Sequence, residues 1–309
     1  MKSKQLKASE NNDRILLMDN VTSIGNGGSG ASLATAGGAG KGRSPWMQTL
    51  GDWSKVYACG SANFVGGLAI LFFLWWLSIY LITLDPSKSL FEDFGLFQAF
   101  GVLPELWEDN TIPHALATSG YRLGMGLLIA IGIGVPVGIV MGRVPWFKKL
   151  SNVPFQFLRM VSPLSWEPIA VIVFLDWDSA IVFLIAIAAV WPVVFATAAG
   201  LEKVDPNWFK VARNLGANQW DVLTKIILPA IAFDVFTGIR LALGVAWIVL
   251  IPAEFLGVTS GFGYAIQDAR ESMLYPNLMG MILVIGAVGY VLDSMLVMLI
   301  NKYAWSKRG

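Results

Sequence analysis

Six stretches of this chain are apolar for long enough to cross a membrane, and no other feature constrains its fold as much. A helix needs about 20 mostly apolar residues to span the roughly 30 Å hydrocarbon layer. Such runs occur at about residues 63–84, 118–142, 152–175, 179–200, 229–254 and 277–301. The first, from Asn63 to Leu84 through Ile70, Phe72, Trp75 and Trp76, carries no charge, and the last is broken only by Asp293. The third is interrupted by Pro154, Pro163 and Pro168 and by the charges of Arg159 and Glu167. A helix of that kind persists in a membrane when its neighbours satisfy the freed carbonyls, which places it inside a bundle. The predicted fold class is all-α integral membrane, with about six transmembrane helices.

Composition agrees. The 309 residues are 55% hydrophobic and only 14% charged, against about a quarter charged in soluble domains. A net charge of +1 gives no reason to expect nucleic acid or another polyanion as partner. The one cysteine, Cys59, cannot form an internal disulfide or a metal cluster, and the one histidine, His114, excludes any site needing two. No metal site is predicted. His114 follows Pro113 at the start of the second span and reads as an interfacial residue rather than a ligand.

Lysine and arginine favour cytoplasmic loops and so orient the spans. With the amino terminus inside, 17 of the 22 basic residues fall on the cytoplasmic side, and only Lys88 and Arg270 fall outside. Arg122, Arg159 and Arg240 lie within or at the edge of spans. Both termini are then cytoplasmic, in the plasma (inner) membrane of a bacterium. Residues 1–62 read as a cytoplasmic tail and lead-in, with a flexible stretch rich in Gly, Ser and Ala at 25–42 and no signal-peptide core. The membrane domain is 63–305. The tail is not a phosphate-binding loop: Gly42 follows Gly40-Lys41 where Ser or Thr is required, and Thr35 stands where the leading glycine should be. This chain binds no cofactor on that reading, so any ATP that drives it binds elsewhere.

The loop 201–228, between the fourth and fifth spans on the cytoplasmic side, holds an unusual short helix. Asp205 suits an N-cap, Pro206 the first helical position, and Gly216 the left-handed residue that ends a helix. About ten residues is too short for stability alone in water. Trp208, Ala212 and Leu215 fall at i, i+4 and i+7, an apolar stripe on a segment that cannot be a span. Asn218 and Asp221 can cap a second short helix before Pro229. One reading lays the stripe on the membrane surface or under the bundle; the other docks it into a groove on another subunit.

The spacing of this loop resembles the signature of ABC importer permeases: E-A-A, three residues, Gly, nine residues, Ile, any residue, Leu-Pro. Lys210-Val211-Ala212 takes the first three places, Gly216 the glycine, and Ile226, Leu228 and Pro229 the end, with every gap kept. Lys210 and Val211 depart from the pattern. His114 to Gly142, Pro154 to Phe174 with Ser162-Pro163-Leu164-Ser165-Trp166, Trp191-Pro192-Val193, and Ala246-Trp247 through Ala253-Glu254 are similar to permeases of the nitrate, sulfonate, taurine and bicarbonate importers. The resemblance covers roughly residues 110–300. It implies a type I ABC importer transmembrane domain and a second permease copy, identical or related. It also implies two ATPase subunits carrying ATP and Mg, and an extracytoplasmic substrate-binding protein. It makes the helix near 206–215 a coupling helix, with Trp208, Lys210, Ala212, Arg213, Leu215, Gly216 and Ala217 at the ATPase contact.

Two groups in the spans are candidates for an anion pathway. Arg240, Trp247 and Glu254 recur every seven residues in the fifth span, on one helix face. Arg240 and Glu254 stand about 21 Å apart along a straight helix and cannot pair. One reading makes Arg240 an anion attractor and Trp247 a gate. The other pairs Arg240 with Asp234 or a lipid headgroup and sets Glu254 at the outer edge. In the third span, Arg159, Ser162 and Trp166, with Glu167 adjacent, could present donors to an oxyanion, or the serines could repair the kink at Pro163. Gly134 with Gly138, and pairs such as Gly124 with Leu128 and Gly132 with Pro136, read as close helix packing. An ATP-independent channel or secondary transporter is the competing class, though two repeat halves with matching broken segments are lacking. A membrane enzyme would want a cluster of titratable groups that these spans do not carry.

Overall fold

The computed structural model describes residues 45–255 and 257–306. The Gly/Ser/Ala-rich tail and the side chain of Cys59 lie outside the described residues. The chain divides at Val65 into two units, and the geometry below concerns residues from Gly66 onward. All regular structure among the described residues is helical.

Helix α1 (Pro45–Thr83) leads into a 3-10 segment, Pro86–Phe94, and two short helices, α2 (Leu96–Gly101) and α3 (Leu103–Glu108). Then come α4 (Thr111–Arg143), α5 (Pro145–Met160), a 3-10 turn at Pro163–Trp166 and α6 (Glu167–Val173). Helices α7 (Trp177–Glu202) and α8 (Pro206–Asn214) precede α9 (Gln219–Glu254), α10 (Phe262–Glu271) and α11 (Tyr275–Ser306). Five helices among the described residues are long and apolar enough to cross a membrane: Phe64–Thr83, Thr111–Arg143, Trp177–Glu202, Gln219–Glu254 and Tyr275–Lys302.

The expected third span, 152–175, is not one helix. Val161 and Ser162 are extended, at φ −70°, ψ 128° and φ −59°, ψ 127°. Proline disfavours the helical conformation for the residue before it, and Ser162 precedes Pro163. The 3-10 turn follows, and Pro168 then opens α6 near its first position, where a missing N–H costs nothing. The segment is two half-helices joined at a bend.

Helix α7 is the centre of the bundle, flanked by α4 and α9. Its N-cap Asp176 accepts the Ser179 amide at 2.8 Å, which holds that carboxylate below its usual range. In lipid, apolar side chains gain nothing by leaving water, so helices associate by close van der Waals approach at small residues. A Cβ at Gly126, Gly134 or Gly138 of α4 would run into Ile185, Val193 or Thr197 of α7. On the other flank, Gly238 of α9 packs against Ala196. Gly124 and Gly132 meet nothing within 4 Å among the described residues, so the close packing expected there is not made within this chain. The shared core holds Leu123, Ile181, Leu184, Ile185, Val193, Ala242, Ala246 and Leu250.

Candidate functional site

The loop between α7 and α9 folds as its residues dictate. Asp205 accepts the Asn207 amide at 2.9 Å and caps α8. Gly216 takes φ 74°, and the amides of Gly216 and Ala217 bond back to the carbonyls of Arg213 and Ala212, a Schellman ending. Asn218 and Asp221 form the reciprocal capping box that starts α9. Pro229 offers no N–H and crowds the carbonyl four residues back. The turn before it, Val222–Ile227, widens to a π-helix.

Helix α8 is anchored on one side and bare on the other. Ala212 is buried with Leu201, Val222, Ile227 and Ile231, and Phe209 packs against them. The Arg143 guanidinium lies 5.8 Å over the Phe209 ring and donates to Gln219 at 3.0 Å. Trp208 is 56% and Leu215 81% exposed, with Val211 between them. The stripe expected from Trp208, Ala212 and Leu215 therefore divides. Val211, at i+3, completes the outward line, and Ala212, about 100° round the helix from Val211, faces the bundle. Between this line and α9 runs an apolar groove of about 360 Å³, with Ala217 and Ile226 in its walls and Asp221 and Lys225 at its edge. Lys210 and Arg213 are exposed, as is Gly216.

The three residues expected on one face of α9 have different surroundings. Glu254 is fully buried and ends the helix. Its carboxylate accepts from Arg122 at 2.7 Å, Ser119 at 2.8 Å and the Gly263 amide at 2.9 Å. Arg122, only 3% exposed, donates in addition to Asp178 at 2.8 Å and to the carbonyl and hydroxyl of Ser260. The Ser119 hydroxyl accepts the Phe262 amide at 2.9 Å. This network ties α4, α7, α9 and the start of α10 at one end of the bundle. A side chain at Gly261 (φ 111°) or Gly263 would strike Glu254. Trp247 is half-buried, edge-on to Phe262 at 6.1 Å and against Gly289 of α11.

Arg240 pairs with neither Asp234 nor Glu254. Its Nε and Nη2 donate to the two oxygens of Asp293 on α11, each at 2.7 Å, and both side chains remain nearly half exposed. Asp234 is held by Lys203 at 2.5 Å. Arg159 and Trp166 share an open cavity of about 650 Å³ with Trp191, Phe195, Leu241 and Val245, while Ser162 and Glu167 lie outside its lining. The Arg159 guanidinium sits 5.4 Å over the Phe195 ring and has no acidic partner among the described residues. Ser119, Arg122, Asp178 and Ser260, which sequence reasoning does not group, form the tightest polar cluster. The signal is Arg122 itself: an arginine in a span costs at least about 2.5 kcal/mol on insertion scales unless partnered, and Glu254 carries the same demand. Among the described residues no cluster of His, Cys, Asp and Glu is arranged to hold a metal.

A small-residue-packed helical bundle with a capped amphipathic helix outside five long apolar helices defines a polytopic membrane protein. Residues 134–304 match the family described as "Binding-protein-dependent transport system inner membrane component". The chain belongs to this family. It is 38% identical over 174 residues to the bicarbonate transport system permease protein CmpB of Synechococcus elongatus, covering 56% of this chain and 62% of that one. It is 32% identical over 234 residues to the taurine transport system permease protein TauC of Escherichia coli, covering 74% and 84%. A crystal structure of an amino acid ABC transporter shares the fold at TM-score 0.50 and 16% identity, covering 65% of this chain and 96% of that one.

Proposed function

We propose that this chain is the membrane-spanning subunit of an ATP-driven ABC importer for a small oxyanion of the bicarbonate, nitrate or sulfonate class. Two copies form a pathway between them, because one copy offers only one lining. Each copy receives an ATPase subunit carrying ATP and Mg, and the outer face receives a substrate-binding protein. Residues 63–305 form the membrane domain, both termini are cytoplasmic, and residues 1–62 supply a cytoplasmic tail and lead-in. The bicarbonate and taurine permeases among the relatives support the anion class.

One observation carries this reading: α8 exposes Trp208, Val211 and Leu215 while Ala212 and Phe209 root it in the bundle. A nine-residue helix that cannot stand alone in water, fixed at its base and apolar at its tip, is suited to entering another subunit's groove. On this reading Lys210 and Arg213 flank the contact, and Gly216 and Ala217 fix the exit angle of the chain. Rigid attachment matters mechanically. Movement of the ATPase pair passes through α8 and its π-turn into α9, the helix that borders the cavity at Arg159.

Affinity purification from native membranes tests this, wild type beside the Trp208→Asp/Leu215→Asp double variant. A charged tip does not enter an apolar groove. An ATPase subunit is expected with the wild type and at least tenfold less of it with the variant, while melting of the variant stays within about 0.5 kcal/mol because both sites are exposed. No co-purifying ATPase in any of several detergents would overturn the reading.

A further inference from the structure

Resting on the importer reading above, we propose that Asp293 is a resident counter-anion in the pathway. It holds Arg240 in competition with the transported oxyanion and so sets how readily that anion is released.

The placement comes first. At 100° per residue, α9 buries Gly238, Ala242 and Ala246 against α7 and turns the opposite side outward. That outward strip carries Thr237, Gly244 and Ile248, with open space around Gly244. Arg240 stands at one edge of the strip, turned toward α11. Leu241 and Val245 stand at the other edge and border the cavity into which Arg159 faces. Because Leu241 follows Arg240 in the chain, Arg240 and the cavity that Arg159 lines lie on either side of the same strip. A surface with one bare arginine and one half-exposed ion pair at membrane depth is untenable against lipid and expected against a water-filled lumen.

Their charges differ. Among the described residues Arg159 meets only the Phe195 ring, and no carboxylate compensates its positive charge there. Arg240 is neutralised by a bidentate carboxylate at 2.7 Å, yet among the described residues only two of its five N–H donors are used, and it is 46% exposed. An oxyanion at Arg240 must displace or share with Asp293. The pair therefore offers hydrogen bonds without a net charge to trap the anion. A relay of this kind moves a small anion past Arg159 and lets it leave. Freed of Asp293, Arg240 would become a second trap.

The test uses the assembled complex of this chain with its ATPase subunits and binding protein in proteoliposomes. Bicarbonate, nitrate and taurine are tried in turn as cargo. The quantity read is the concentration of cargo anion on the ATP side that halves ATP-driven uptake. Asp293→Asn is expected to lower that concentration at least tenfold and to slow uptake. Arg240→Gln/Asp293→Asn, a neutral pair of similar shape, is expected to raise it at least threefold above wild type. A merely structural ion pair would change the rate but leave the half-inhibiting concentration at the wild-type value in both variants, and that result overturns the proposal. Should Asp293→Asn fail to assemble, the neutral pair decides alone. If wild-type complex imports none of the three anions, the importer reading falls for this cargo class and this proposal falls with it. If wild type imports and neither variant shifts the concentration, only this proposal falls.

Discussion

Two arginines in this bundle face the same physical problem and meet it in opposite ways. Arg122 of α4 is sealed: its guanidinium meets Glu254, Asp178 and Ser260, and only 3% of the residue is exposed. Arg240 of α9 has, among the described residues, a single ion-pair partner, Asp293, and both remain open. A buried ion pair is worth having only when every remaining donor and lone pair is satisfied. The cluster at Arg122 meets that condition with two serines, two backbone amides and a carbonyl. Such a cluster is a joint: it fixes where α9 ends and where α10 begins. An arginine left half exposed at membrane depth is not a joint, because its partner does not exclude competitors. Burial, rather than the presence of charge, separates the sealed joint from the open pair here.

The comparison breaks first at Arg122. Replacing it by Met leaves Glu254 buried among Ser119 and two amides with no cation, and removing one partner of a buried pair costs about 3–5 kcal/mol. We expect Arg122→Met to give little monodisperse protein and a sharply lower melting temperature in detergent. The companion Arg122→Met/Glu254→Leu should recover most of the loss, since apolar replacement of both partners removes the stranded charge. Melting and gel-filtration recovery of the two variants decide it. Equal failure of both would mean that the joint depends on specific hydrogen bonds to Ser260 and Gly263 rather than on charge balance.

A smaller effect is expected at the rim of the same cluster. Asp178 accepts from Arg122 at 2.7 Å but is 58% exposed, so water already shares its charge. Asp178→Asn keeps an acceptor in place and removes a solvent-screened charge, for which about 1 kcal/mol or less is expected. A loss as large as that of Arg122→Met would show that Asp178, and not Glu254, neutralises the arginine, and the description of the joint would need to be redrawn around α7.

Much of this architecture is legible in the amino-acid sequence, and the division between what is and what is not follows physics. Run length marks six apolar stretches, five of which are single helices long enough to cross a membrane, because apolar length is a local property. The caps of α8 are legible for the same reason: Asp205, Pro206, Gly216 and the Asn218–Asp221 box act within a few residues of themselves. The region around Pro163 reads as one interrupted span and folds as two segments, since the same prolines fit a kinked span and two half-helices. Periodicity places Arg240, Trp247 and Glu254 on one helix face, but a face does not name its neighbours. Glu254 finds a partner 132 residues earlier and Arg240 one 53 residues later, pairings that only helix packing creates. On α8, Val211 and Ala212 lie about 60° and about 40° to opposite sides of Trp208, and spacing alone does not say which of them joins the exposed line.

The sharpest form of the comparison is Arg159→Gln, whose effect on stability is expected to be the smallest. The side chain is exposed, makes no ion pair among the described residues and contributes only its position over Phe195. An exposed cation–π contact is worth about 0.5–1 kcal/mol, and Gln keeps part of the packing. Melting should therefore shift no more than that of Asp178→Asn, and assembly with an ATPase should be untouched. Transport should fall at least tenfold nonetheless, because the uncompensated cation bordering the cavity is gone. Arg159→Lys, which keeps the charge and loses the planar fork, should restore part of the activity. Rate and melting are thus predicted to separate at Arg159 and to fall together at Arg122. If they fall together at both, the open arginines are as structural as the sealed one, and the outward strip of α9 is not the conducting surface.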